Sequence, residues 1–319
     1  MPEVTAVIPV HNRWDLTARL LDDLHTQSAP LKEILIVDNA SNDGTAQKAT
    51  ALGARVIALS QNTGFAHAVN IGIRAAETEF VLIVNNDVRL PGDWLEKLLQ
   101  ASEIGGWFMA GKLLSGARPG EIDGAFDLIS RGGCAWRAGH GFRSAGAESG
   151  PMQMDFPSFT AGLFRRSLFN RIGYLEESFE SYLEDIDFGL RCAEAGLWGL
   201  YAPQAVGIHE GSATLGEWNP ETARRLARNQ LWIVARHFPR VSWPVVVSQF
   251  LFIGLGFSNG AGWAVLKGKW QGLAGFRRMM RREGPHVPPD LIARHDREIA
   301  HLQGAPARDL FWRLYFKLT

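Results

Sequence analysis

Phe80-Val81-Leu82-Ile83-Val84-Asn85-Asn86-Asp87 decides how this chain of 319 residues folds. Its first five residues are apolar and rich in β-branched types, with none of the polar alternation of a half-exposed strand. A strand buried on both faces has this pattern. Asn85, Asn86 and Asp87 then stand at its carboxyl end. In open α/β sheets, ligands collect beyond the carboxyl ends of the strands. A carboxylate beside two amides there suits a hard divalent cation that takes further oxygens from a substrate diphosphate. The same three residues also suit an ordinary turn.

Three upstream runs repeat the arrangement. Val4-Thr5-Ala6-Val7-Ile8 reads as a strand that stops at Pro9 and enters Val10-His11-Asn12-Arg13. A helix over 15–27 follows, with Leu16, Leu20, Leu21 and Leu24 at helical spacing. Ile34-Leu35-Ile36-Val37 is a second buried strand, ending in Asp38-Asn39-Ala40-Ser41-Asn42-Asp43-Gly44-Thr45. Arg55-Val56-Ile57-Ala58-Leu59 is a third, followed by Gln61-Asn62-Thr63-Gly64-Phe65-Ala66-His67-Ala68-Val69-Asn70. Strands alternating with helices at this spacing predict a parallel sheet whose polar loops converge on one edge. There, Asp38 can accept a hydrogen bond from a base imide, and Gly64 lets backbone approach a ligand closely. Asp38-Asn39-Ala40-Ser41 serves equally well as a helix cap.

Downstream, Glu184-Asp185-Ile186-Asp187-Phe188-Gly189-Leu190-Arg191 opens a predicted helix with three carboxylates, which suggests a metal site and a base. Complementing the helix dipole is the simpler role for the same residues.

Taken in order, these segments resemble glycosyltransferase family 2, the inverting, nucleotide-sugar-dependent transferases of the GT-A fold. The matching residues are Ile8-Pro9-Val10-His11-Asn12-Arg13, the 37–45 stretch, Asn62-Thr63-Gly64-Phe65-Ala66 with Asn70 and Gly72, Asn85-Asn86-Asp87-Val88, and Glu184-Asp185-Ile186-Asp187 with Arg191. They cover residues 4–215. The branch is similar to the rhamnosyltransferase-like enzymes of bacterial surface polysaccharide assembly, which share the Asn-x-Gly-Phe-Ala loop and the Asn-Asn-Asp metal motif. Three departures stand out. Asn85 replaces an Asp common in relatives, His11 stands where Tyr is usual, and the Gln-x-x-Arg-Trp motif of processive synthases is missing. Single sugar transfer is therefore expected rather than polymerisation.

The resemblance implies an α/β fold of GT-A type, with a mostly parallel nucleotide-binding sheet flanked by helices. It implies donor contacts from Pro9, Val10, His11, Asn12, Arg13, Asp38, Asn39, Gly64, Phe65, Asn70, Asn86 and Asp87. Asp87 and His209, in Gly207-Ile208-His209-Glu210-Gly211-Ser212, are the implied ligands of Mn²⁺ or Mg²⁺. Asp185 is the implied base, and its place in a first helical turn favours the ionised form. Glu184 and Gly162 are expected on the acceptor side, beneath loops broken by Gly116, Gly120, Gly132, Gly133, Gly139, Gly141 and Gly146.

Composition agrees. A 46% hydrophobic chain of this length can bury a large core. Thirty-three basic against thirty-three acidic residues give no bulk charge for nucleic acid. Cys134 and Cys192 show no metal-type spacing and suggest a reducing compartment. Met1-Pro2-Glu3 leads straight into the first strand and leaves no room for a signal peptide, so a cytoplasmic location is expected, at the inner face of the membrane if the C-terminal region anchors there.

The expected division is a catalytic domain over 1–215, with a donor half to about 114 and an acceptor half beyond, and a helical extension over 216–319. Within the extension, 220–238 reads as a helix, and 241–266 contains no charged residue. A basic cluster, Arg277-Arg278-Met279-Met280-Arg281-Arg282, follows. This region reads as a soluble helical subdomain or dimer interface, as an in-plane membrane anchor, or as a true span.

The expected activity is inverting transfer of a sugar from dTDP-rhamnose or a UDP-sugar to a hydroxyl of a saccharide or lipid-linked saccharide. Alternatives are a UDP-hexose transferase with another acceptor, and a nucleotide-sugar-binding protein that has lost catalysis, the latter prompted by Asn85. A sugar nucleotidylyltransferase is disfavoured because the first strand loop lacks a Gly-rich phosphate-binding start followed by a lysine.

Overall fold

The four N-terminal strand runs pair in parallel as β1 (Val4–Val10), β2 (Glu33–Asp38), β3 (Arg55–Ala58) and β4 (Phe80–Val84), in the order β3-β2-β1-β4. Because β1 has β2 on one side and β4 on the other, the direction of winding reverses at β1. The crevice between the loops after β1 and β4 is therefore the switch point at which such sheets bind ligands. This computed structural model describes residues 2–143, 150–211, 218–280, 287–304 and 307–319. Gly146, Ser212, Arg281, Arg282 and the boundary expected after residue 215 lie outside the described residues.

The sheet continues beyond β4 with antiparallel and parallel partners. In chain order these are β5 (Val88–Arg89), β6 (Phe108–Ser115), β7 (Ile122–Gly124), β10 (Met152–Met154), β11 (Ala161–Arg165) and β12 (Gly199–His209), with β8 (Asp127–Ile129) and β9 (Ala135–Arg137) forming a separate two-stranded ribbon. The long path runs β10-β12-β6-β11-β4-β1-β2-β3. Each central strand supplies both faces. Ala6, Ile8, Leu82 and Val84 enter one core, and Val7, Val81 and Ile83 the other. This two-residue alternation between two apolar layers is why the runs show no polar positions.

Helices α1 (Trp14–His25), α2 (Thr45–Ala51) and α3 (Phe65–Ala75) are the crossovers between the parallel strands, and α4 (Trp94–Ile104) leads into β6. In α1, Leu16, Leu20, Leu21 and Leu24 are all buried, as their spacing predicts. After β11 come α5 (Ser167–Ile172) and α6 (Glu184–Glu194), and after β12 come α7 (Pro220–His237), α8 (Trp243–Ser258), α9 (Gly262–Met279), α10 (Pro289–Gln303) and α11 (Leu310–Leu318). The uncharged 241–266 stretch is two helices, broken at Asn259-Gly260, where Gly260 takes a left-handed φ of 76°. No described helix is long and apolar enough to cross a membrane.

A buried charge cluster holds α7 against α6. Asp187, with no exposed surface, accepts hydrogen bonds from Arg191 Nε (3.0 Å), Arg236 Nε (2.7 Å) and His237 Nε2 (2.8 Å), while His237 Nδ1 lies 2.8 Å from Glu194. Burial works to raise the pKa of Asp187, but the His237 hydrogen bond and the charges of Arg191, His237 and Arg236 hold it far below the usual carboxylate range. Removing one member leaves the others buried and uncompensated.

Asp187→Ala is therefore expected to destabilise the fold by about 3–5 kcal/mol at neutral pH. A depressed carboxylate pKa contributes stability that is present above the unfolded value, about 3.9, and is lost as pH falls through the folded value. The gap between wild type and variant should accordingly narrow below about pH 4. Urea denaturation at a series of pH values measures it, and a gap that stays constant contradicts the assignment.

Candidate active site

The loops at the carboxyl ends of β1, β2 and β3 are tied to one another by their own polar side chains. Asn12 Oδ1 accepts from Asn42 N (2.9 Å), its backbone N donates to Ser41 Oγ (2.7 Å), and His11 Nδ1 lies 2.9 Å from Asn39 O. Asn12 and Arg13 both adopt left-handed φ. Asp38, buried at the end of β2, accepts from Ser41 N (3.0 Å). Asn39 bridges to the third loop, accepting from Thr63 N (2.8 Å) and donating to Gly64 O (3.0 Å). Asp43 does not cap α2 from the N-cap position, which Gly44 occupies. It instead accepts from Thr45 N (3.1 Å) and from Trp14 N (3.0 Å), joining the starts of α2 and α1. Of the expected donor contacts, Pro9, Val10 and Asp38 thus end β1 and β2, His11, Asn12, Arg13, Asn39 and Gly64 lie on the linked loops, and Phe65 starts α3.

Two of the expected contacts are occupied by the protein itself. A Cβ on Gly64, whose φ is 87°, would stand 2.9 Å from Glu180 O, so the close approach it permits is to the backbone before α6. Asn70 is fully buried, donating to Leu175 O (2.9 Å) and Glu177 Oε1 (2.8 Å) and accepting from Leu175 N (3.0 Å). Its amide anchors the segment leading to α6. Gly162 lies within β11, paired with Ile83 and Ala110, and an added Cβ would meet Ser158 O at 2.2 Å.

Past the end of β4, Asn86 and Asp87 form a turn into β5. Asn86 Nδ2 donates to Thr17 Oγ1 (3.1 Å), which fastens the turn to α1. The two residues of β5 pair with the end of β12, placing Val88 opposite His209, and Glu210 N donates to Asp87 O (2.8 Å). By this route Asp87 and His209, far apart in sequence, come together with Oδ1 3.4 Å from Nε2. Asp87 Oδ1 is buried and has no hydrogen-bond partner. On the other side of the ring, His209 Nδ1 lies 2.9 Å from Asp123 Oδ2. Burial works to lower the His209 pKa, but the hydrogen bond to Asp123 and the charges of the Asp87 and Asp123 carboxylates push it up to about 9.

Asp123 belongs to β7, in the glycine-broken region, and it opens a chain of charges toward α6. Arg137 Nη1 donates to Asp123 Oδ2 (3.1 Å), and its Nε is 3.8 Å from Asp127 Oδ1. Burial works to raise the Asp123 pKa, but His209 and Arg137 hold it down at about 2. Asp127 goes the other way. Burial, offset in part by Arg137 and reinforced by the charges of Asp185 and Asp123, lifts it to about 7.

Asp185 is half-buried in the first turn of α6, where its Oδ1 accepts from Ile186 N (2.8 Å). A helix start by itself favours the charged form of a carboxylate. Burial outweighs that and raises its pKa, with Arg137 opposing. A raised pKa makes the carboxylate a stronger proton acceptor. Glu184 is buried beside it, its Oε2 lacks a hydrogen-bond partner, and burial and the Asp185 charge raise its pKa well above the ordinary range.

The turn that delivers α6 is held from two sides. Glu180, Tyr182 and Leu183 all adopt left-handed φ between 62° and 71°. From the donor loops, Ala66 N donates to Glu180 O (3.0 Å). From α7, Asn229 Nδ2 reaches Phe179 O (3.0 Å), Ser181 O (3.1 Å) and Tyr182 O (2.7 Å), and Arg228 donates to Phe179 O (2.9 Å) and Glu180 Oε1 (2.8 Å). Asp123, Asp127, Arg137 and Asn229 are the residues that sequence reasoning did not select. Only the Asp-Gly pair at Asp123-Gly124 carried a local signal, that of a turn.

The residues near Asp87 fit a divalent cation. An unsatisfied buried carboxylate oxygen faces an imidazole nitrogen whose opposite nitrogen is held by a carboxylate, the arrangement that orients a metal-binding histidine. Among the described residues no group of three or more His, Cys, Asp or Glu side chains converges as a metal site, so remaining ligands would come from substrate or water.

Comparison with known proteins agrees with this geometry. The family model described as "Glycosyl transferase family 2" matches residues 5–173, and that described as "Glycosyl transferase family group 2" matches 135–280. The chain is 27% identical over 229 residues to the N-acetylglucosaminyl-diphospho-decaprenol L-rhamnosyltransferase of Mycobacterium tuberculosis, covering 62% of this chain and 73% of that protein. It is 28% identical over 204 residues to the succinoglycan biosynthesis protein ExoO of Rhizobium meliloti, covering 61% and 53%. Among solved structures, the mannosyltransferase PcManGT from Pyrobaculum calidifontis, in complex with GDP-Man and Mn²⁺, superposes with a TM-score of 0.55 at 17% identity, covering 99% of this chain and 85% of that one. With a family model spanning more than half its length and polar loops gathered at the switch point of its sheet, the chain belongs to glycosyltransferase family 2.

Proposed function

We propose that the protein transfers one sugar, with inversion, from a nucleotide-sugar donor to a hydroxyl of a saccharide or lipid-linked saccharide in bacterial surface polysaccharide or glycolipid assembly. The observation that carries this reading is the placement of Asp185, a carboxylate of raised basicity at the start of α6, linked through Arg137 to the Asp123–His209–Asp87 group. The names of the M. tuberculosis and R. meliloti relatives favour this setting, and dTDP-rhamnose is the first donor to test, ahead of UDP-sugars. A cytoplasmic site of action follows from such donors.

In this reading the loops after β1, β2 and β3 bind the nucleoside. Asp87 and His209 would hold a Mn²⁺ or Mg²⁺ ion, whose charge supports the departing diphosphate. Asp123 keeps the His209 ring oriented through Nδ1. Asp185 accepts the proton of the attacking hydroxyl, and Arg137 opposes the tendency of burial to neutralise that carboxylate. Beside it, burial and the Asp185 charge raise the Glu184 pKa, which disfavours a second negative charge there.

Asp185→Asn keeps the shape but cannot take the proton, so turnover should fall about 100- to 10,000-fold with nucleotide affinity little changed. Turnover near the parent rate would remove Asp185 as base. Binding without turnover in the wild-type protein, across dTDP- and UDP-sugars with Mn²⁺, would identify instead a nucleotide-sugar-binding protein.

Asp87→Ala should weaken Mn²⁺-dependent binding of a nucleoside diphosphate more than His209→Ala, because the carboxylate supplies charge that imidazole does not. Asp123→Ala, acting through His209, should cost about 10- to 100-fold in metal affinity. Calorimetry decides this, and unchanged affinity in all three variants would remove the metal assignment.

A further inference from the structure

The face formed by α8 and α9 has the chemistry of a surface that meets lipid. α8 carries no charged residue, and only Val245, Val247, Ser248 and Gly256 of its sixteen residues are buried. A helix that is apolar all round belongs in a core or a membrane. At 1.5 Å per residue its length is about 24 Å, short of the roughly 30 Å of a hydrocarbon core.

α9 continues the same surface. Trp263, Lys267, Trp270, Leu273 and Arg277 follow one another at three- or four-residue intervals, which places them on one side of the helix, and all are exposed. Trp263 is 77% and Trp270 70% exposed, and Phe250 of α8 is also 70% exposed. Between the helices, Leu231, Val246, Phe250, Ile253, Leu273 and Phe276 line an apolar groove. Tryptophan beside apolar side chains, with cationic residues along the same helix, is the composition of interfacial membrane helices.

Charge separates the two occupants such a face can have. The charged residues of α8 and α9 are Lys267, Lys269, Arg277 and Arg278, with no aspartate or glutamate, and Lys267, Arg277 and Arg278 are exposed. A second copy packed on the same face would set Lys267, Arg277 and Arg278 against their own counterparts. An anionic bilayer complements them. The opposite side of α9 packs on α7, whose Arg228 and Asn229 hold the turn before α6, so a seat on this face would keep the catalytic helix close to the bilayer.

We propose that the α8–α9 face lies in the headgroup layer of an anionic membrane, with Trp263, Trp270 and Phe250 at the acyl boundary and Lys267, Arg277 and Arg278 on lipid phosphates. The proposal rests on this face alone and holds whichever sugar the cleft transfers.

Flotation of the full chain with vesicles of phosphatidylcholine alone, or mixed with anionic phosphatidylglycerol, tests it. The chain should float with the anionic vesicles, with a blue shift of tryptophan fluorescence, and release at high salt. Each cation near the surface contributes about a fivefold factor, so combined Lys267→Glu, Arg277→Glu and Arg278→Glu should lower affinity at least about 100-fold. Trp263→Ser with Trp270→Ser should abolish the blue shift. All five positions are exposed, and a thermal melt checks that the variants remain folded. Failure to float with anionic vesicles would overturn the proposal, as would binding unaffected by these substitutions. A dimer that the tryptophan substitutions dissociate, without vesicle binding by the wild-type chain, would make the face a self-association surface and equally overturn it.

Discussion

The left-handed turn over 180–183 is the constraint on which the rest of this molecule depends. Three non-glycine residues there hold backbone conformations that cost about 1–2 kcal/mol each. Such strain persists only where the surroundings over-determine it. Here the surroundings are the donor loop, which gives room at Gly64 and a hydrogen bond from Ala66, and helix α7, which supplies Arg228 and Asn229. The turn in turn fixes where α6 begins and therefore where Asp185 stands. The loops after β1 to β3, the start of α6 and helix α7 thus meet at one four-residue segment.

It follows that α7 is no appendage. It holds the turn at one end of α6 and reaches Asp187 one turn further on, so that the chain without α7 would leave Asp187 without Arg236 and His237, and the carbonyls of the turn without Asn229 and Arg228. The same economy appears at the other end of the cleft. Asp123, held well below its ordinary pKa, and Asp185, raised from its own, share Arg137, so one guanidinium serves both the His209 side and the α6 side. Neighbouring carboxyls pushed in opposite directions are what a site needs in order to hold positive charge at one point and accept a proton at another.

Much of this was legible in the sequence because it is local. Apolar runs without alternation specify strands buried on two faces, and polar residues directly after them must lie at the sheet's carboxyl edge. The pairing of Asp87 with His209 was expected from resemblance, and its physical route is the two-residue strand β5 against β12. What escaped notice is non-local. Asp123, Asp127 and Arg137 sit in short strands cut by glycines, where neither a period of two nor one of 3.6 has room to register. Asn229 sits in the middle of α7, where an asparagine gives no sign that its amide reaches carbonyls some fifty residues earlier. Gly64 and Asn70 also hold the segment before α6, a role no local pattern shows, since a residue that permits close approach does not declare what approaches. The 241–266 stretch lacks charge but not a break, and Asn259-Gly260 divides it into two helices.

In the proposed mechanism a single carboxylate, Asp185, activates the attacking hydroxyl directly, and no sugar is ever bonded covalently to the enzyme. Proton NMR of the anomeric configuration of the first-formed product, from whichever nucleotide sugar is turned over, tests this most directly. Inversion relative to the donor is the predicted result. Retention would require two displacements or a front-face path, and would contradict the account.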